Sequence, residues 1–335
     1  MEKYFLGGNT AFGFKGFHDK EIGRIGNVIL LKGGPGTGKS SLMKRIAREA
    51  AERGYDTETW LCSGDPSSLD GVYVKELDTV VADATAPHAV EASLPVLRDR
   101  IVDMAKALSR EKLLPDKREI VDLLSVKKGC YESAYKHLKS AYGYFEKKRE
   151  VYRRNADTSA IRRLAAADAL RFAGEKRDGT VSPRERFACA ITPDGEVEFF
   201  EHLIAKRVHL VKGSGTGAEI YLEEFAGLSG ADVVLRNPLT GGGLTGFVIG
   251  DDAFVAGAGP FVSSALITDI SSLERSAAGV TEFYSARERE EVRLAVSALS
   301  SAREAHLAVE EFFIAAMDFS VTERTAESLV AEIFG

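Results

Sequence analysis

The chain reads as an α/β protein in two tandem copies, each a mostly parallel sheet flanked by helices and followed by a helical section. Three observations predict this. The apolar run Val28-Ile29-Leu30-Leu31 stops at the turn Gly33-Gly34-Pro35-Gly36-Thr37-Gly38, and Lys39 to Ile46 continues with helical spacing. A shorter form of that loop, Lys212 to Glu219, follows a second apolar run, Val208 to Val211. From Leu94 to about Leu170 the pattern turns helical, and the C-terminal stretch echoes it.

Gly33 to Ser40 fits G-x-x-x-x-G-K-[ST] between a strand and a helix, the context that a phosphate-binding P-loop requires. Glycines let backbone N–H groups converge on phosphate oxygens, and the N-terminus of the following helix adds positive partial charge. The pattern predicts a P-loop NTPase fold with ATP held by Gly33, Gly34, Pro35, Gly36, Thr37, Gly38, Lys39, Ser40 and Ser41. Lys39 is expected on the β- and γ-phosphates, with the Ser40 hydroxyl on Mg²⁺. A second magnesium ligand is expected where Thr79-Val80-Val81-Ala82 ends in Asp83, because ligands gather at the carboxyl ends of parallel strands. Asp65, also at a strand end, competes for the metal or orients an attacking water; its structural alternative is a turn or capping aspartate.

Size and composition narrow the classes. At 335 residues, 44% hydrophobic and 28% charged, the chain has material for two cores. No apolar stretch approaches the roughly 20 residues that span a bilayer, and Met1 to Phe5 lacks a signal-peptide core, so a cytoplasmic protein without membrane contact is expected. Cys62, Cys130 and Cys189 are scattered, which fits reduced thiols better than a disulfide or metal framework. The net charge of −6 is unevenly spread: residues 94–186 carry 23 Lys+Arg against 14 Asp+Glu, and residues 187–335 carry 10 against 23. Mutual attraction of these segments, or solvated helix faces, is the preferred reading; nucleic acid is not an expected partner.

Along the chain, Tyr4 to Phe14 suggests a strand, a turn and a second strand. A helix is expected from Lys39 to Arg53, stopped by Gly54, and a strand over Thr57 to Cys62. His88, beyond the Asp83 strand, is either a substrate-facing or a loop residue. Pro95 opens a predicted helix through Ile101 and Leu108, and a longer one starts near Pro115 and passes Tyr131, Tyr135 and Tyr142. Asp157 or Thr158 caps a third, over Ile161 to Leu170. Gly174 to Pro183 reads as a linker, which sets the domains at 1–180 and 185–335.

In the second copy the changes fall on the chemical positions. Ala218 stands for Lys39, Glu219 for Ser40 and, in a parallel of Asp252 onward with Asp78 onward, Gly257 for Asp83. His306-Leu307 is set against His137-Leu138. Copy two is therefore expected to have lost ATP–Mg²⁺ binding and to be structural or regulatory.

The pattern resembles a family of uncharacterised bacterial proteins made of two tandem P-loop, nucleotide-kinase-like ATPase copies. The residues that carry the resemblance are Lys32 to Ser40, Ser68-Leu69-Asp70, Thr85-Ala86-Pro87-His88 and Ala190-Ile191-Thr192-Pro193-Asp194-Gly195. It implies the fold and ATP binding, and no particular substrate.

Three functions are compatible with these residues. The first is an ATPase active in the N-terminal copy, with Lys39, Asp65 and Asp83 catalytic. The second is a kinase for a small molecule or nucleotide as phosphoryl acceptor, with Arg98, Arg100 and Arg110 as a basic lid. The third is a non-enzymatic nucleotide sensor acting on a protein partner or a second copy of the chain. The absence of an [NT]-K-x-D guanine-reading element disfavours GTP. Asp65 and Asp70 are the candidates for placing water, and Arg236 or Arg275 of copy two for an arginine finger; their alternative is ordinary surface pairing.

Overall fold

The computed structural model describes residues 1–172, 182–200, 207–257, 266–274 and 278–335. The first half opens with strands Glu2–Tyr4 (β1), Gly7–Thr10 (β2) and Gly13–Gly16 (β3) and a short helix, His18–Ile22 (α1). Asn27–Lys32 (β4) runs into the glycine-rich loop and helix Lys39–Glu52 (α2), which buries Leu42, Met43, Ile46 and Ala50 and ends before Gly54. Strands Thr57–Cys62 (β5), Asp65–Val74 (β6), Thr79–Asp83 (β7) and Asp99–Asp103 (β8) complete its sheet. Helices Arg110–Leu113 (α3), Lys117–Asn155 (α4) and Thr158–Phe172 (α5) follow, α5 opening on the Asp157 carboxylate, which accepts the Ala160 N–H.

The second half repeats this programme. Arg184–Arg186 (β9), Cys189–Thr192 (β10), Gly195–Glu198 (β11) and Arg207–Lys212 (β12) precede helix Gly215–Ser229 (α6). Val233–Arg236 (β13), Leu244–Ile249 (β14), Asp252–Ala256 (β15) and Leu266–Asp269 (β16) follow, then helices Ala278–Ala315 (α7) and Phe319–Phe334 (α8). The first sheet has the order β1-β5-β6-β7-β4-β8, and the second, read from its β9 edge, β9-β13-β14-β15-β12-β16. Even the hairpin contacts recur: Thr10 Oγ1 donates to Gly13 O at 2.8 Å and Thr192 Oγ1 to Gly195 O at 2.9 Å.

Each sheet is mixed, with three parallel and two antiparallel pairings. The expectation of mostly parallel strands fails at β6. Only Ser63-Gly64 joins β5 to β6, and four residues join β6 to β7, far too few for a parallel crossover. The predicted helix after Pro95 is also replaced, by edge strand β8 on β4. Its apolar residues do not share a buried face, since Val96 is 95% and Leu97 87% exposed, whereas Val102 is buried opposite Leu31.

The register also corrects two internal alignments. Leu31 faces Asp83 as Val211 faces Ala256, so Ala256, not Gly257, stands where Asp83 does. In the long helices, Ala134, Leu138 and Ala141 match Ala295, Leu299 and Ala302, all buried; Leu307, aligned by sequence with Leu138, is 47% exposed. The short His-Leu match lay on different helix faces.

Helices α4 and α7 lie antiparallel, as Lys127–His306, His137–Glu291 and Lys148–Glu288 show. At 39 residues α4 is about 58 Å long. Tyr131, Tyr135, Tyr142 and Phe145 pack along this pair, and Lys148, Arg149 and Arg162 meet Glu288, Glu219 and Glu224 of the acidic half. The pair also carries each last helix to the opposite sheet. Ile161, Ala165 and Ala169 of α5 join the second core, beside Tyr221 and Phe225 of α6, while Ala326 and Leu329 of α8 join the first. Helical cover thus crosses between ranges 1–180 and 185–335. Most of the predicted linker, 174–181, lies outside the described residues.

The sheets meet where β1 and β9 end. Phe5 and Phe187 exchange both backbone hydrogen bonds, at 3.0 and 2.9 Å. Beside them Arg184 forks onto Glu58 at 3.0 and 2.7 Å, and Arg186 binds Glu2 at 2.8 Å while its guanidinium lies 3.9 Å from the Tyr4 ring centre. Burial alone would raise the Glu58 carboxyl, but the charges of Arg186 and Arg184 and hydrogen bonds from Arg184 and Tyr4 outweigh it, pulling it down to about 2.

A carboxyl lowered on folding stabilises fully above its ordinary value, and that stability is lost as pH falls toward its folded value. Urea unfolding of the wild type should weaken between about pH 4.5 and 2 more steeply than that of Glu58→Gln. At neutral pH the variant should be about 3–5 kcal/mol less stable, since the buried Arg186 and the half-buried Arg184 lose their shared anion. Parallel pH profiles would remove Glu58 from this role.

Candidate functional site

The glycine-rich loop leaves β4 at its carboxyl end, between parallel neighbours β7 and β8. Gly36 and Gly38 have φ of +65° and +83°, a backbone that side chains disfavour and that turns the loop back into α2. The Thr37 hydroxyl donates to Gly34 O at 2.8 Å and closes the loop. Helix α2 starts with no side-chain cap, so its first-turn N–H groups face outward as donors.

Lys39 folds back under the loop, donating to Gly33 O and Gly34 O, both at 2.8 Å, with Asp83 Oδ2 3.6 Å away. Asp83 also accepts the Thr85 N–H at 2.9 Å. Ser40 Oγ accepts the Leu69 N–H at 3.0 Å, which leaves its own proton and second lone pair uncommitted. Lys39, Ser40 and Asp83 are therefore gathered at one sheet corner. Ser41 is exposed on α2. Asp65 accepts from Ser67 Oγ at 2.8 Å and Ser68 Oγ at 2.6 Å, as a turn aspartate does; those bonds offset its burial and hold its carboxyl below the usual range.

Deeper in the same corner lie His18 at the start of α1, Asp70 in β6 and His88 after β7. The two imidazole rings stack at 5.0 Å and both face the Asp70 carboxylate. Burial, opposed by His88 and reinforced by Asp83, raises Asp70, while burial and then His88 lower His18 to about 3. Asp70 and His88 were visible in sequence as candidates. His18 was not, since nothing in a short Phe-His-Asp stretch signals that it meets residues 52 and 70 positions away.

The rim comes from the helix pair. Glu310 of α7 accepts the Gly36 N–H at 3.1 Å, and Phe313 and Ile314 close over Gly34 and Gly36. His306 lies 2.9 Å from Lys127 of α4; burial, then the charges of Lys127 and Lys39, lower it to about 4. Arg303, whose charge acts on Asp65, pairs with Asp194 at 2.7 Å. Sequence spacing held no sign of this rim, because it depends on α7 crossing between halves.

Several proposed arginines are committed elsewhere. Arg236 binds Glu185 at 2.7 Å and Gly242 O at 2.8 Å; Arg98 binds Asp99 and Ser93; Arg100 pairs with Glu332 of α8. Arg110 starts α3 on an exposed turn, and Arg275 lies outside the described residues. Cys62, Cys130 and Cys189 are free thiols.

The matching corner of the second half is closed. One residue shorter, its loop enters α6 at Gly215, and neither Gly215 nor Gly217 has positive φ. Ser214 caps the helix by accepting the Gly217 N–H at 3.0 Å, and Glu274 accepts the Ser214 N–H at 2.7 Å. Glu219, in place of Ser40, is paired with Arg149 at 3.1 Å. Ala218 and Ala256 stand for Lys39 and Asp83.

In comparisons with known proteins, no family model, curated protein or solved structure matches the chain. Among the described residues no helix is long and apolar enough to cross a membrane.

A methyl group at Gly36 would meet Ile314 Cγ1 at 3.0 Å and Glu310 O at 3.1 Å, whereas at Gly54, also at positive φ, it would meet nothing within 4 Å. Both alanine variants carry the left-handed backbone cost of about 1 kcal/mol or more. Gly36→Ala should lower the thermal midpoint clearly further than Gly54→Ala. Equal losses would mean that α7 does not rest on the loop.

Proposed function

We propose that the first half binds ATP–Mg²⁺ as a P-loop NTPase and hydrolyses it, and that the second half is a non-catalytic P-loop-like copy. The observation that carries this reading is the contrast between the two corners. One has an uncapped helix N-terminus, a lysine bonded to the glycine carbonyls of the loop, a serine in the first turn of the helix and an aspartate at a strand end. The other has filled the same places with its own serine and glutamate. The resemblance to tandem P-loop ATPase copies and the lack of a guanine-reading element support ATP as the nucleotide.

In this reading the glycines and Thr37 of the loop and the first turn of α2 donate N–H groups to the phosphates, and Lys39 exchanges its glycine carbonyls for phosphate oxygens. Ser40 and Asp83 would hold Mg²⁺, which neutralises charge developing on the phosphoryl group. The second lone pair of Ser40 Oγ and the Asp83 Oδ2 that faces Lys39 at 3.6 Å fit an oxygen-preferring ion. Asp65, kept ionised by its serines, would orient water. Hydrolysis is favoured over transfer to a small molecule because Arg98 and Arg100, two of the three lid candidates, are engaged in pairs. Cytoplasmic residence without a nucleic-acid or membrane partner belongs to the same proposal.

ATP titrated into Lys39→Ala should bind about 10- to 100-fold more weakly, the worth of charge-assisted bonds. Binding that persists with Mg²⁺ dependence would place the nucleotide elsewhere. Phosphorus NMR with ATP–Mg²⁺, with and without a metabolite pool, should show free phosphate alone; a new phosphoester would make the protein a kinase. Because Glu310 occupies the Gly36 N–H and is an anion beside a phosphate site, Glu310→Ala should tighten ATP about 5- to 20-fold. An unchanged or weakened affinity would show that this carboxylate does not compete with the nucleotide.

A further inference from the structure

The corner contains a second set of ligand-type side chains that the proposed hydrolysis leaves unused. One atom each from His18, Asp70 and His88 lie within 4.8 Å of one another. His18 Nε2 is 3.8 Å from Asp70 Oδ2, and His88 Nε2 is 3.6 Å from Asp70 Oδ1. Both separations are too long for hydrogen bonds. Each, to a different oxygen of the carboxylate, is close to the about 3.4 Å between two donors bound at about 2.1 Å to one tetrahedral ion.

The three side chains are only 3%, 4% and 6% exposed in the order His18, Asp70, His88. Both ring nitrogens of His18 and Nδ1 of His88 are buried without a hydrogen-bond partner. A donor or acceptor left so costs about 1–3 kcal/mol, and two histidines meeting one carboxylate is an unusual place to concentrate that cost. Trp60 lies edge-on to His18 at 6.4 Å and Phe14 lies 6.1 Å from His88, giving the cluster aromatic walls.

We propose that His18, Asp70 and His88 bind a divalent transition-metal ion of the zinc and cobalt type, at a site distinct from the Mg²⁺ position at Ser40 and Asp83. Imidazole nitrogens select such ions, while magnesium prefers oxygen and water. Three protein ligands leave a fourth position for water or a substrate oxygen, as in catalytic zinc sites. The ion would tie α1, β6 and the segment after β7 together, next to Leu69, whose N–H holds the loop serine. The second half lacks the set. By the register of its hairpin and sheet, Phe200 stands for His18 and Thr245 for Asp70. The metal ligands and the open loop therefore occur in the same half.

The test uses the full chain, stripped with a chelator and titrated with Co²⁺. One equivalent should bind with the visible ligand-field absorption of a tetrahedral site, and Zn²⁺ but not Mg²⁺ should displace it. His18→Ala and His88→Ala should each weaken Co²⁺ at least about 100-fold, beyond what loss of a supporting partner costs. Asp70→Asn and His88→Gln keep the side-chain volume, should the alanine variants fail to fold. Lys39→Ala should leave Co²⁺ binding unchanged, so that failure of the nucleotide reading and failure of this one are told apart. A wild-type protein that takes up no Co²⁺ would overturn the proposal. So would an absorption band that survives Asp70→Asn and His88→Gln.

Discussion

The antiparallel contact between the two long helices is the constraint from which the rest of the arrangement follows. Ala134, Leu138 and Ala141 on one helix and Ala295, Leu299 and Ala302 on the other are small or medium residues that allow close approach along one buried seam. Because each helix ends over the opposite sheet, α5 and α8 must complete cores that their own halves do not supply. The same crossing delivers Glu310, Phe313 and Ile314 to the glycine-rich loop. A change at that loop is therefore felt directly by a helix about 57 Å long whose far end lies beside the other sheet.

The two corners show how little separates an uncapped helix start from a capped one. Sheet order, strand register and the following helix are shared. One residue fewer and a serine at the cap let the second loop become helix three positions sooner; Ser214 then accepts the Gly217 N–H and Glu274 the Ser214 N–H. A helix N-terminus attracts negative charge whether it comes from a ligand or from the protein itself. The second half has answered that requirement internally, with its own serine and glutamate.

The uneven charge of the chain resolves by the same internal pairing. The basic central segment meets the acidic second half along the helix pair, and Arg184 and Arg186 meet Glu2, Glu21 and Glu58 at the junction of the sheets. Lys147, Lys148 and Arg149 of that segment all have glutamate partners. The Glu58 cluster joins the halves through buried charge, so the contact is specific in geometry and sensitive to loss of any one member.

What the sequence alone determined is local and periodic. The strand-loop-helix at Val28 to Ile46, the α2 stop at Gly54, the α5 start at Asp157 and the existence of a repeat were legible because each depends on neighbours within a few residues. So was the grouping of Lys39, Ser40 and Asp83, which follows from strands ending at one sheet edge. Tertiary structure alone decided that β6 runs backward, that β8 is an edge strand and that the helices change partners. It also decided the pairing of His18 with Asp70 and His88, and the covering of the loop by Glu310. These are contacts between segments far apart in the chain. Their residue types are ordinary in isolation, and burial beside one another is what gives them chemical meaning.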